Sequence, residues 1–220
     1  MYPFTDIVSL GYRCRTARRL RDHFGFETAY PFDWWISPLK SLVRVLEEWD
    51  PDRLFDVEEL RETRDANGIG EIKHVRYGVK FLHDFPRRDG YIVEEWREHL
   101  PEVKSRTAHL MARFESLDSP DRRILFCREY CEGEDSELHY RLMRKVLRRR
   151  LPLARRGFIL VSPAGFAPPG WRPVVIDDPL NDPWSGDPKL WDPALAALGY
   201  AHTPVEAAAA EPGCGLRRRA

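Results

Sequence analysis

A cysteine placed where a strand gives way to a helix is the residue best suited to chemistry. Cys14 follows Gly11 and the apolar run at residues 6–10, and a helical pattern of apolar residues begins directly after it. The first turn of a helix carries unpaired N–H groups and the positive end of the dipole, which stabilise a thiolate. Arg13 and Arg15 add positive charge. The position predicts a nucleophile; the alternative is a small buried residue that packs strand against helix.

A histidine in the segment FLHDFP is the predicted base for this cysteine. His83 follows residues 75–81, where apolar and polar side chains alternate as in a half-buried strand or hairpin. Binding sites collect at strand ends in α/β folds, and histidine takes up a proton near neutral pH without any perturbation. Asp84 or Asp33 would orient the ring. The alternative is a turn residue bonded to the backbone.

An acidic residue stands among aromatic ones in the segment YPFDWW. A carboxylate in such surroundings must be hydrogen-bonded or paired with a charge. Ser37 is better placed to cap the helix predicted to start at Pro38, so Asp33 needs a partner from elsewhere in the chain. The neighbouring Trp34 lines a substrate pocket in one interpretation and belongs to the core in the other.

Further polar residues follow two later strands. Arg128 comes directly after the apolar run ILFC, and the segment VVIDDPLNDPW follows with Asp177, Asp178, Asn181 and Asp182. We expect Arg128 to lie at the same strand-end surface as the cysteine. One of the later residues would be a third catalytic member, or the segment is simply an acidic turn.

Three of these segments form a pattern when taken together. SLGYRCRTARRLR, AYPFDWWISPLKSL and YGVKFLHDFP, in this order and spacing, resemble a bacterial family of unknown function labelled papain-like cysteine peptidases. The resemblance covers roughly the first half of the chain. It implies that Cys14, Asp33 and His83 correspond to the family's cysteine, its PFDW acid and its HDF histidine. It also implies a papain-like α+β fold as an alternative, although Val8 stands where papain-like enzymes carry the oxyanion-hole glutamine.

Strands and helices alternate along the chain, which predicts the fold. Continuous apolar runs occur at residues 6–10 and in RRILFCRE, GFILVSPAG and WRPVVIDDP, and helices are predicted from Cys14, from Pro38, over residues 136–149 and over residues 189–198. Strands buried on both faces are typical of a mostly parallel sheet covered by helices. We predict one α/β domain over residues 1–200, built as a three-layer sandwich, and a flexible tail over residues 201–220 that includes Cys214.

Composition excludes several classes of function. Lys+Arg and Asp+Glu number 35 each, so no overall field favours nucleic acid or an anionic membrane. No apolar run is long enough to span a bilayer, and no signal-peptide pattern is found, which predicts a cytoplasmic protein. The four cysteines are too few and too uneven for a disulfide scaffold and lack the spacing of a zinc site. We expect neither a metal nor a cofactor.

The leading functional hypothesis is a cysteine-dependent acyl-transfer enzyme, either a hydrolase or peptidase-like. Cys14 would attack a carbonyl, His83 would act as base and then acid, and Asp33 would orient His83. Backbone N–H groups near the cysteine would hold the oxyanion of a small-molecule, peptide or glycan substrate. The alternatives are a non-enzymatic glycan- or small-ligand-binding domain and a glycan-acting transferase. The predicted substrate contacts are Gly11, Trp34, Asp84 and Arg128.

Overall fold

The computed structural model describes residues 2–64, 68–131, 133, 136–178 and 186–205. The helices are α1 (Cys14–Phe24), α2 (Leu39–Glu48), α3 (Pro51–Leu54), α4 (Leu100–Glu115), α5 (Glu137–Arg150) and α6 (Pro188–Ala196), with single 3-10 turns at Val57–Glu59 and Trp96–His99. The strands are β1 (Tyr2–Phe4), β2 (Asp6–Ser9), β3 (Trp35–Ile36), β4 (Leu60–Arg64), β5 (Gly70–His74), β6 (Lys80–Phe81), β7 (Arg87–Arg88), β8 (Tyr91–Ile92), β9 (Arg123–Glu129), β10 (Arg155–Ser162), β11 (Arg172–Val175) and β12 (Tyr200–His202).

A four-stranded parallel sheet contains the four strands that were predicted from continuous apolar runs. Its order is β11-β10-β9-β2, and every neighbouring pair is parallel. The register places Asp6 opposite Ile124 and Ile159 opposite Cys127. The carboxyl ends of all four strands therefore meet at one edge, and their amino ends at the other. The predicted α/β class and the parallel sheet are confirmed.

Both faces of this sheet are buried, which explains the continuous apolar runs. Along the strands, Ile7, Leu125 and Ile159 belong to one hydrophobic cluster, together with side chains of α1 and α6. Their neighbours in sequence, such as Val8 and Phe126, belong to a second cluster with side chains of α2 and α5. Successive side chains of a strand point to opposite faces, so a strand with both faces covered needs apolar residues at every position.

A second, antiparallel sheet of order β3-β6-β5-β4 was not predicted from the sequence. The high charge and poor periodicity of residues 50–70 indicate a surface excursion, but Leu60 pairs with His74 and Arg64 with Gly70. That interpretation was wrong for β4. Leu60 is its one core residue, and the charged or polar residues at the other positions leave no alternation of apolar and polar side chains in the sequence. The hairpin option for residues 75–81 is confirmed: β5 and β6 pair antiparallel, and residues 75–79 form the connection.

The first helix begins where the sequence predicted, with Cys14 as its first residue. It ends at Gly25, whose φ of 68° lets its N–H bond the carbonyl of Arg21. The second helix differs in one detail, because Pro38 rather than Ser37 is its N-cap residue. The Ser37 hydroxyl is instead buried against Gly11, where an added Cβ would lie 2.7 Å from it.

Regular structure continues two residues beyond the boundary predicted at position 200. Strand β12 pairs in parallel with β1, and the Thr203 N–H donates to the Phe4 carbonyl at 2.7 Å. The backbone of β1 therefore orders the start of the segment interpreted as a tail. Residues 206–220, including Cys214, lie outside the described residues. Among the helices of the described ranges, none has the length and apolar character needed to cross a membrane.

Candidate functional site

The Cys14 thiol is half-buried at the start of α1. The backbone N–H groups of Cys14 and Arg15, at the start of the helix, act to lower the thiol pKa. Burial outweighs them, and the carboxylate of Glu129 adds to burial, so the net effect is a raised pKa. The helix terminus is as the sequence predicted, but the low thiol pKa that was expected from it is not present, since desolvation is the largest influence.

A buried ion pair lies next to the cysteine. Arg15 donates through Nε to Glu129 Oε1 at 2.7 Å, and its terminal nitrogen bonds the same oxygen. Thr16 donates to the other carboxylate oxygen at 2.9 Å. Sequence reasoning gave Glu129 no role, although an acidic residue at the end of a fully apolar strand implies a buried partner. The pair joins the first turn of α1 to the end of β9.

Asp178 extends this network toward α6. Its carboxylate accepts hydrogen bonds from Trp191 Nε1 at 2.8 Å and from the Asp187 N–H at 3.0 Å, and it lies 3.7 Å from an Arg15 nitrogen. Asp178 is therefore a buried member of a network and not part of a solvated acidic turn. Asp177 is exposed beside it. Asn181 and Asp182 lie outside the described residues.

A cavity of about 250 Å³ opens at the carboxyl edge of the parallel sheet. Its walls combine charged, hydroxyl and aromatic groups, with Arg15, Glu129, Ser162, Asp177 and Trp191 among them. Ligands of parallel α/β sheets bind in the crevice outside the carboxyl ends of the strands. Cys14 is not among the residues that line the cavity, but the next residue, Arg15, lines it, and so does Glu129, whose charge acts on the Cys14 thiol.

The partner that was predicted for Asp33 lies in α1. Its carboxylate accepts hydrogen bonds from the Arg21 guanidinium and, at 2.8 Å, from the Tyr30 N–H. Burial raises the pKa of Asp33 to about 6, against the lowering influence of Arg21. The same guanidinium lies over the ring of Trp34, with 5.5 Å between the guanidinium carbon and the ring centroid. The carboxylate thus holds the aromatic segment against α1.

His83 lies at the protein surface, but its ring is partly covered because it packs edge-on against Trp34, with 5.5 Å between ring centroids. Desolvation and the charge of Arg87 lower the pKa of His83. The next residue, Asp84, has a buried carboxylate oxygen for which the described part of the chain supplies no hydrogen-bond partner. Burial raises the pKa of Asp84 to about 6, while Arg106, 3.8 Å away, opposes the shift.

Asp33 and Cys14 are tied to different ends of strand β2. The Tyr30 hydroxyl donates to Asp6 at 3.3 Å, and Asp6 is the first residue of β2. The amide that binds Asp33 therefore belongs to a residue held at the amino end of β2, whereas Cys14 follows its carboxyl end. Trp34 links His83 to the Asp33 side of this arrangement. The set of Cys14, His83 and Asp33 stays a prediction.

Two predicted substrate contacts brace the strand–helix connection. Gly11 has a φ of +78°, and its carbonyl accepts the Glu129 N–H at 2.9 Å. Arg128 is fully buried and donates to the carbonyls of Leu10 and Ser37 at 2.7 and 3.0 Å. With no exposed surface, Arg128 fixes the backbone before Cys14 in place of the substrate contact predicted for it. Within the described residues, no group of three or more His, Cys, Asp or Glu could hold a metal ion.

Comparison with known proteins gives one match. Residues 5–153 match the family described as "Putative papain-like cysteine peptidase", which confirms the resemblance drawn from the three sequence motifs. The matched range contains Cys14, Asp33 and His83 and ends just before β10, so it leaves out Ser162, Asp177 and Trp191 of the cavity wall. No curated protein and no solved structure matches the chain.

Proposed function

We propose, from the premise that this chain belongs to the family described as papain-like cysteine peptidases, that it is a cysteine-dependent acyl-transfer enzyme. One observation carries the proposal. Cys14 is the first residue of a helix whose first N–H groups favour the thiolate, and it directly precedes Arg15, which lines the crevice at the carboxyl edge of the parallel sheet. These N–H groups are the donors that an oxyanion or a thiolate requires.

The proposed reaction has two steps. The Cys14 sulfur attacks a substrate carbonyl carbon while a base accepts the thiol proton, and the bond to the leaving group breaks as that group takes the proton. Water, or another acceptor, then attacks the thioester and releases the acyl group. Because the thiol pKa is raised, the thiol is protonated at neutral pH and the first step requires the base.

We assign the base to His83. A lowered pKa keeps its imidazole neutral and able to accept a proton at pH 7, which supports this role. Asp33 orients it indirectly in this proposal, since Asp33 binds Arg21, Arg21 lies over Trp34, and Trp34 contacts the His83 ring. Peptide, ester and other acyl substrates share the carbonyl chemistry that the site would attack.

The test is acylation by an activated ester followed over time. We expect p-nitrophenyl acetate to give a burst of p-nitrophenolate and then steady turnover, with a single acetyl group located on Cys14 by peptide mass spectrometry. Cys14→Ser should abolish both phases, and Cys131→Ser, which removes the other half-buried thiol, should preserve them. Absence of a burst, or equal acetylation of Cys131, would contradict the proposal.

The role of His83 is tested separately. We expect His83→Asn to slow the burst by about 100-fold, the lower range for loss of a general base. His109→Asn changes an exposed histidine on α4 and should leave the rate unchanged. If Cys14 is still acetylated at an unchanged rate in His83→Asn, Cys14 remains the nucleophile and another group is the base.

A second candidate function is binding of a glycan or another small polar ligand, with a glycan-acting transferase as its catalytic version. The cavity wall favours it, because the indole of Trp191 and the guanidinium of Arg15 lie there with the carboxylates of Glu129 and Asp177. The raised pKa of the neighbouring Cys14 thiol also disfavours a thiolate. Screening against a glycan panel separates the two. Binding that is lost in Asp177→Ala and retained in Cys14→Ser would favour this candidate over acyl transfer.

We propose further that helices cover both faces of the parallel sheet as a three-layer sandwich. The two hydrophobic clusters on opposite faces support this arrangement, since one includes residues of α1 and α6 and the other residues of α2 and α5. We also propose a cytoplasmic location, because Cys14, Cys127 and Cys131 form no disulfide within the described residues, as a reducing compartment would require.

A further inference from the structure

A second cavity, of about 420 Å³, opens at the amino edge of the parallel sheet. Strands β9, β10 and β11 all begin there, so it lies at the opposite end of the strands from Cys14. Its walls are basic and aromatic or apolar, formed by Phe4, Arg123, Arg155, Arg156, Gly157, Arg172, Leu198 and Tyr200. None of these residues belongs to the site proposed for acyl transfer.

Four arginines line this cavity, and none has a carboxylate partner among the described residues. Across the described ranges, no Asp or Glu lies within ion-pair distance of Arg123, Arg155, Arg156 or Arg172. No acidic residue is among those that form the walls. The chain as a whole has balanced charge, with 35 Lys and Arg against 35 Asp and Glu, so this concentration of positive charge is local.

The guanidinium groups retain donors for a ligand. The Arg123 Nε is buried and finds no hydrogen-bond partner within the described part of the chain. Arg155 is exposed, and no side-chain bond of it is found in the same ranges. Arg172 uses one nitrogen to bond the Leu198 carbonyl at 3.2 Å and the Tyr200 hydroxyl at 3.0 Å, which fixes it at the wall.

Positive charge extends beyond the cavity wall, to Arg148 on α5. Burial and the charge of Arg148 lower the pKa of Arg156, with Asp118 opposing the shift. The Asp118 carboxylate is already bonded to the Leu153 N–H at 2.7 Å, and Asp6 near the same edge is bonded by Arg122. A bound anion would relieve the repulsion that these carboxylates leave in place.

We propose that this cavity binds a small ligand that carries linked phosphate groups. The planar guanidinium matches phosphate oxygens in a bidentate manner, and several arginines around one cavity suit more than a single negative charge. The ring of Tyr200 and the side chain of Leu198 supply apolar walls for the remainder of the ligand. The volume lies in the range of small-molecule sites, about 300–1,000 Å³, whereas a nucleic acid would need an extended basic stripe.

Titration of the full chain with pyrophosphate tests the proposal. We expect calorimetry at low ionic strength to show one saturable site, with a dissociation constant that rises with salt concentration. Saturation should raise the melting temperature by about 5 °C when pyrophosphate is at about 100 times its dissociation constant. Inorganic phosphate should bind more weakly, because it engages fewer of the guanidinium groups.

Variants locate the site. Arg155→Gln removes an exposed guanidinium that bonds no side chain in the described ranges, so the fold should be retained while pyrophosphate binding weakens by about tenfold or more. Arg123→Gln should have a similar effect on binding. Arg88→Gln, on the exposed β7–β8 hairpin, is the matched control and should leave affinity unchanged.

The opposite results would overturn the proposal. These are no saturable heat at millimolar pyrophosphate, equal affinity in Arg155→Gln and the parent chain, or an equal loss in Arg88→Gln. Tighter binding of a single-stranded RNA than of pyrophosphate would also overturn it, in favour of a polymeric partner. Cys14→Ser should bind pyrophosphate like the parent chain, so the outcome does not depend on acyl transfer.

Discussion

Arg15, in the first turn of α1, forms an ion pair with Glu129, the last residue of β9, and both side chains are more than 90% buried. The pair links residues 114 positions apart in sequence. It lies at the carboxyl ends of the parallel strands, next to Cys14.

Arg15→Met should destabilise the protein strongly. Removing the guanidinium leaves the carboxylate of Glu129 buried without its partner, and loss of one member of such a pair costs about 3–5 kcal/mol. Urea denaturation measures the free energy of unfolding. Arg18→Met, on the exposed side of the same helix, should cost less than about 1 kcal/mol. Equal effects of the two variants would show that the buried pair does not stabilise the fold.

Glu129→Gln should lower the pKa of the Cys14 thiol. The carboxylate acts on the sulfur as a like charge that disfavours the thiolate, so its neutralisation removes one of the influences that raise this pKa. The pH dependence of iodoacetamide alkylation at Cys14, followed by peptide mass spectrometry, gives the measurement. Glu102→Gln changes an exposed carboxylate and serves as the control. A profile that does not move in Glu129→Gln would contradict the assigned contact.

Gly11→Ala should be more destabilising than Gly25→Ala. Both glycines have positive φ, 78° and 68°, so both substitutions place alanine in the left-handed region at a cost of about 1–3 kcal/mol. Only at Gly11 does the added Cβ also meet a neighbour, the Ser37 hydroxyl, at 2.7 Å, whereas nothing lies within 4 Å at Gly25. Thermal unfolding compares them. A second substitution, Ser37→Gly, should recover part of the loss in Gly11→Ala and none in Gly25→Ala.

Asp84 should make the protein less stable as pH rises from about 4 to about 6. Its pKa in the folded state is raised to about 6, so between these values the folded state binds a proton that the unfolded state has released. The free energy of unfolding therefore decreases through this window and levels off above it. Urea denaturation across pH measures the slope.

Asp84→Asn should remove this component of the pH dependence. Asp52→Asn, which changes an exposed carboxylate, should keep the parent slope. If the free energy of unfolding changes with pH in parallel for the parent chain and both variants between pH 4 and pH 6, Asp84 does not carry a raised pKa.

The sequence by itself determined the elements whose burial is local. The apolar runs of β9 and β10 and the helical spacing after Cys14 predicted those strands and α1, and the three motifs identified the family. Strand β4 was not predicted, because Leu60 is its only core residue. A pattern of apolar residues reports which face of an element is covered, so an element with little covered face leaves little pattern.

Only the tertiary structure decided which polar residues meet. Sequence reasoning required a partner for Asp33, and the fold supplied Arg21; it gave no role to Glu129, and the fold set it against Arg15. The arginines of the second cavity come from three strand starts that are separate in sequence. Hydrophobic periodicity is encoded within each element, whereas the distance between charges on different elements depends on strand order and register, which exist only once the strands pair.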